Sequence, residues 1–126
     1  MHSILMLTIG GEAMERDAIL SALAQELRRG TVVLSVLATL RQPKYGYSLV
    51  SELGEKGLPV EANTLYPLLR RLEAHGLLQS SWELGGAKPR KYYAVTPLGE
   101  DIYQALKRQW RRMAEGMDRL WEEEKG

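Results

Sequence analysis

Between Ala62 and Pro97 the chain carries Arg70, Arg71, Lys88, Arg90 and Lys91 against only Glu73 and Glu83, a local net charge of +3 where the whole chain carries +1. Clustering decides what such charge can do: cations gathered on one surface neutralise phosphates whatever the net charge of the chain. Adjacent arginines add a second capability, because a guanidinium fork can read a guanine edge in a DNA groove. Asn63 and Thr64 open the same segment and can serve either as helix caps or as polar contacts to nucleic acid.

Other chemistries lack their parts. There is no cysteine, and His2 and His75 are far apart and read as surface residues. Thiolate ligation, disulfides and paired-histidine metal binding are therefore excluded. Neither a nucleophile elbow nor a phosphate-binding loop occurs, so an enzyme is not expected, and neither is a metal or a cofactor. No apolar run approaches the roughly 18 residues of a membrane span, and the start has no convincing signal-peptide cleavage site. The expected location is the cytoplasm.

The arginine pair must be held by a helix. Leu65, Leu68, Leu69 and Leu72 recur at i, i+3, i+4 and i+7, so they share one stripe. Thr64, Pro67, Arg70, Arg71 and Ala74 then fall on the opposite face. Asn63 or Thr64 is the expected N-cap, and Pro67 is tolerable within a first turn whose donors lack partners. Gly76 sits where a left-handed C′ residue belongs, stopping the helix at His75.

Lys88, Arg90 and Lys91 need a different support. After Gly76 the period changes from helical to two, with Leu78, Trp82 and Leu84 alternating with polar residues. A turn rich in glycine and proline follows, and then the aromatic run Lys91–Val95. This predicts a β-hairpin with a basic tip, Trp82 packing in its core, and one of Tyr92 and Tyr93 facing inward.

Upstream, Ile19, Leu20, Leu23 and Leu27 mark an amphipathic helix, interrupted or re-capped at Gly30 and Thr31. The next stretch is apolar nearly all round and should be central, with Val33, Val36, Leu37 and Leu40 on one face. Arg41–Gly46 reads as a turn and Tyr47–Leu53 as a short helix ended by Gly54 and Gly57. Downstream, Thr96 and Pro97 form a cap and first helical residue. From there Tyr103, Leu106, Trp110, Met113, Met117 and Leu120 step by three and four, a heptad seam for pairing with another element.

These blocks, LRRGTVVLSVLATL, YGYSLVSEL, NTLYPLLRRLEAHGLL and KPRKYYAVTPLGE, resemble in order and spacing the PadR family of transcriptional regulators, over about Leu27 to Trp121. The single C-terminal helix is similar to the family's small subgroup. The resemblance implies a mainly α winged helix-turn-helix with a small β-hairpin wing, whose N- and C-terminal helices build a homodimer. It also implies a regulator of transcription, commonly a repressor, bound to double-stranded DNA, and a dimer with two reading helices should meet an inverted-repeat operator.

Residues 1–13 match nothing in the pattern and are expected to be a disordered extension before Met14, itself a candidate start. Residues 14–96 form the DNA-binding domain and 97–126 the dimerisation helix. The expected DNA contacts are Asn63, Thr64, Tyr66, Arg70, Arg71, Lys88, Arg90 and Lys91, with Tyr66 matching a family tyrosine at the start of the reading helix. Dimerisation falls to Leu106, Trp110, Met113, Met117, Leu120 and Trp121. Some members of the small subgroup bind planar aromatic compounds between their C-terminal helices, which makes Trp110 and Met113 candidate effector contacts. The alternative function is a winged helix whose basic face binds a protein and no DNA.

Overall fold

The computed structural model describes residues 9–125, with side chains from Ala13 onward. In chain order the elements are α1 (Ile9–Thr39), β1 (Lys44–Tyr45), α2 (Ser48–Glu55), α3 (Ala62–Ala74), β2 (Leu78–Glu83), β3 (Arg90–Val95) and α4 (Pro97–Lys125). The chain divides into two units, 1–31 and 32–126.

In the first unit the predicted stripe is present, and it is uncovered: Ile19, Leu20, Leu23 and Leu27 are all exposed. Of the thirteen residues assigned to a disordered extension, 1–8 lie outside the described residues and Ile9–Ala13 belong to α1. The expected interruption at Gly30 and Thr31 is absent, since both lie inside α1. A glycine within a helix costs only about 1 kcal/mol, and the Thr31 hydroxyl donates to the Arg28 carbonyl 2.8 Å away.

The second unit is built around aliphatic side chains from every element of the helix-turn-helix. Val36 and Leu37 of α1, Leu40 just past its end, Leu49 and Leu53 of α2, and the four leucines of α3 are buried together with Leu78, Tyr93 and Tyr103. Between α2 and α3, Gly57 takes a φ of +77°, and the Leu58 N–H returns to the Leu53 carbonyl at 2.9 Å. That glycine ends α2, whereas Gly54 lies within it.

Arg41–Gly46 is not all turn. Lys44 and Tyr45 form a short strand antiparallel to β3, opposite Tyr93 and Tyr92, so the hairpin is part of a three-stranded sheet in the order β1-β3-β2. The end of α1 is tied to it, since the Val95 N–H donates to the Leu40 carbonyl at 2.9 Å.

α4 starts as its sequence predicts. The Thr96 hydroxyl accepts from the Gly99 N–H at 3.0 Å and donates to the Gly76 carbonyl at 2.6 Å, so one side chain caps α4 and ties it to the end of α3. Arg41 grips Glu100 through two contacts of 2.9 and 2.8 Å and lies 5.2 Å from the Tyr103 ring centroid. The Glu100 carboxyl is held below its usual range, chiefly by the Gln104 amide and then by Arg41.

Gly99, where a capping glutamate could have stood, has a packing reason. A Cβ there would collide with the Leu77 carbonyl oxygen and come within 2.8 Å of Val95 Cγ1. Backbone cannot rotate aside as a side chain can. Gly99→Ala is therefore expected to destabilise the fold by about 1–3 kcal/mol, seen as a lower thermal unfolding midpoint. An unchanged midpoint would show that α4 can shift away at no cost.

Candidate nucleic-acid interface

All four leucines of α3 are buried, and Asn63, Thr64, Pro67, Arg70, Arg71 and Ala74 are exposed on the other side. The two faces are divided as the spacing predicts. The cap is Glu61, two residues before Asn63 and three before Thr64, and its main-chain carbonyl accepts from the Thr64 and Leu65 N–H groups at 3.0 and 2.9 Å. Asn63 and Thr64 are thus first-turn residues and not the caps. Pro67 falls one turn further in, and it deprives the Asn63 carbonyl of its helical donor on an exposed face that solvent can reach.

The far end is a Schellman motif. The Leu77 N–H donates to the Leu72 carbonyl and the Gly76 N–H to the Glu73 carbonyl, both at 2.9 Å, with Gly76 at a φ of +78°. This turn sends the chain directly into β2. The wing's position beside α3 follows from it.

In the hairpin, the loop between β2 and β3 is exposed along its length and carries Lys88. Arg90 and Lys91 follow on opposite faces of β3, as successive strand residues must. Arg90 is exposed on the face shared with Tyr92. Lys91 turns toward α3, where its ammonium lies 3.6 Å from Glu73 and 5.2 and 5.7 Å from the Tyr93 and Trp82 ring centroids. Glu73 is held from the other side by the Ser80 hydroxyl at 2.5 Å. The cation expected to hold phosphate is thus occupied in fastening the wing to the last turn of α3, and the same contacts answer the acid nearest Arg70 and Arg71.

Tyr93 is the inward member of the tyrosine pair, 5% exposed, and Tyr92 lies on the outer face. Trp82, expected in the wing's core, is instead exposed, because the hairpin extends past the last core residue and only the Lys91 side chain lies against its ring. Tyr66 is half-buried against the core, with its ring beside Gly46.

Two tyrosines that charge and periodicity did not single out stand next to Arg90. Tyr45 of β1 stacks on Tyr47 at a centroid distance of 5.5 Å, and the Arg90 guanidinium lies 5.3 Å from the Tyr45 ring. Both stand in YGY, but Gly46 and Tyr47 form the turn into α2, so it is that turn and no strand alternation that brings the two rings together.

On α4, Leu106 is half-buried against the core, and beyond it the seam is uncovered. Trp110 is 44% exposed, Met113 64%, Met117 42%, Leu120 55% and Trp121 52%. Among the described residues there is no helix long and apolar enough to cross a membrane, and no group of residues that could hold a metal ion.

Comparison with known proteins agrees with this geometry. Transcriptional regulator Rv3488 of Mycobacterium tuberculosis is 38% identical over 76 residues, spanning 60% of this chain and 71% of that protein. A PadR family transcriptional regulator from Eggerthella lenta superposes with a TM-score of 0.81 at 51% identity, covering 86% of this chain and 97% of the other. A PadR-like transcription factor from Bacteroides fragilis gives a TM-score of 0.65 at 32% identity, over 79% and 98%. Residues 33–108, from the second half of α1 to the middle of α4, match the transcriptional regulator PadR-like family. With its leucine-backed arginine helix, its wing and these relatives, the chain belongs to the PadR-like family of transcriptional regulators, which are DNA-binding proteins and not enzymes.

Proposed function

We propose that the protein is a cytoplasmic homodimeric repressor that reads an inverted-repeat operator through α3 and is released by a planar aromatic effector. The observation that carries the reading is the exposure of Arg70 and Arg71 opposite four buried leucines, next to a wing presenting Lys88 and Arg90. In this reading Asn63, Thr64, Arg70 and Arg71 face the groove while Lys88 and Arg90 hold phosphate. Tyr66 contributes at most its hydroxyl, and Lys91 acts on DNA only through the wing it anchors. Genomic fragments selected by the purified protein should contain two half-sites about 34 Å apart, or a multiple of that. An asymmetric single site would contradict the two-fold arrangement.

The dimer is supported by the uncovered α4 stripe of Trp110, Met113, Met117, Leu120 and Trp121, five large apolar side chains at helical spacing that a second copy would take out of water. The exposed stripe of Ile19, Leu20, Leu23 and Leu27 on α1 asks for a cover in the same way. Sedimentation should find a dimer at micromolar concentration, and a stable monomer there would reject the proposal.

The effector reading rests on Trp110 with Met113 one turn on. Tryptophan offers a flat face and methionine an adaptable one, so two copies of this seam can enclose a planar aromatic molecule. Such a ligand releases DNA only if it favours a dimer geometry whose reading helices no longer match successive grooves, and operator DNA must then weaken ligand binding by the same factor. Planar aromatic cations and phenolic acids are expected to quench the tryptophan fluorescence of the parent more than that of Trp110→Ala. Equal quenching, with equal DNA binding, would leave Trp110 a plain dimer residue.

A further inference from the structure

Glu83 and Arg90 are cross-strand partners, the last pair of the hairpin before its loop. Opposite charges in that relation ordinarily pair. Here they do not: among the described residues no carboxylate lies within ion-pairing distance of Arg90. The Glu83 carboxylate instead accepts the hydroxyl of Tyr45, from the neighbouring strand β1.

Tyr45 is itself fixed by two aromatic neighbours. Its ring centroid is 4.0 Å from that of Tyr92, its own cross-strand partner, and 5.5 Å from that of Tyr47. The hydrogen bond to Glu83 pushes the Tyr45 pKa up to about 12, so the hydroxyl keeps the proton it donates through the physiological range. Arg90 is exposed and rests over the same ring, 5.3 Å from its centroid, with its own pKa raised chiefly by the Tyr45 hydroxyl. An exposed arginine otherwise loses rotamer freedom when it is immobilised, and part of that loss has been taken before a phosphate arrives.

We propose that Tyr45 is a positioning residue for DNA binding: it draws the Glu83 carboxylate away from Arg90 and stacks the guanidinium in place, leaving the wing's cation open for a backbone phosphate. It does so from β1, outside both the reading helix and the wing. The inference rests on Arg90 being a phosphate contact. It goes further by making the availability of that contact depend on a hydroxyl that touches no DNA.

The test compares salt-dependent duplex binding by the full chain and the variants Tyr45→Phe, Arg90→Ala, Glu83→Gln and the double variants Tyr45→Phe/Arg90→Ala and Tyr45→Phe/Glu83→Gln. Phenylalanine keeps both stacks and removes only the hydroxyl, freeing Glu83 to neutralise Arg90. Tyr45→Phe should flatten the plot of log affinity against log salt by about one unit per wing, as Arg90→Ala does. It should add nothing in the Arg90→Ala background, and Tyr45→Phe/Glu83→Gln should recover the parent slope because a neutral amide cannot quench Arg90. Glu83→Gln alone should bind at least as well as the parent, which keeps the test informative if Tyr45→Phe folds poorly.

A parental slope in Tyr45→Phe beside a flattened one in Arg90→Ala would overturn the role of Tyr45 while leaving Arg90 on the phosphate. Equal loss from Tyr45→Phe in both backgrounds, failure of Glu83→Gln to restore, or weakened binding by Glu83→Gln alone would overturn it as well. A parental slope in Arg90→Ala would remove the phosphate contact itself, and the proposed role of Tyr45 with it.

Discussion

Arg70→Ala and Arg71→Ala are each expected to weaken operator binding by about 1–3 kcal/mol per half-site, and to do so much more for the operator than for unrelated duplex. Both side chains are exposed on the face of α3 turned away from Leu65, Leu68, Leu69 and Leu72. Truncating either removes a fork of donors without disturbing the core. A dimer with two half-sites doubles the loss. The wing differs in kind: Lys88→Ala should lower affinity for all sequences alike and flatten the salt dependence by about one unit per wing, the signature of a lost phosphate contact. Binding measured on operator and scrambled duplexes separates the two. If the wing substitution altered base preference and the helix substitutions did not, the roles assigned here would be reversed.

Leu69→Ala should cost the fold about 2–5 kcal/mol. Leu69 is fully buried in the cluster that joins α1, α2, α3 and the sheet, so the lost methyl groups leave a cavity that elements on several sides would have to close. Domains of this kind are stable by only about 5–15 kcal/mol, so much of the margin would go. Denaturant unfolding followed by circular dichroism measures the loss directly. DNA affinity at low temperature should fall far less than in Arg71→Ala, because Leu69 supports the reading face and is not part of it. A loss under 1 kcal/mol would mean that the core around α3 repacks freely, and α3 would then be a poor platform for reading bases.

How far the sequence could be read depends on how local each cause is. The leucine stripe, the Schellman stop at Gly76 and the Thr96 cap depend on residues within one or two turns, and all three are seen in the fold. The cap of α3 is less legible: Asn63 and Thr64 are the residue types that cap with a side chain, whereas Glu61 makes no side-chain cap and offers a main-chain carbonyl that any residue could supply. Strand β1 is two residues long and is a strand only because β3, some fifty residues later, pairs with it. No local pattern marks it.

The interface shows the same division. Alternation put Trp82 on the inward face of β2 correctly, since its partner is Lys91, but could not show that the core ends before it does. A charge count enrolled Lys91 among the phosphate contacts. Its engagement with Glu73 depends on how α3 and β3 meet, and the count has no access to that. The break expected at Gly30 rested on glycine's weak local preference, which one unfavourable residue cannot enforce against the helix formers on both sides.

The central claim, that the face of α3 and the wing form a DNA-binding surface, is tested most directly by affinity for a selected duplex measured across salt concentration. In the proposed dimer, Lys88 and Arg90 on two wings, each neutralising a phosphate, predict a linear fall of log affinity with log salt and a slope of roughly −4 or steeper. A slope near zero, with no preference for the selected duplex over a scrambled one, would contradict the claim and leave the basic face to a protein partner.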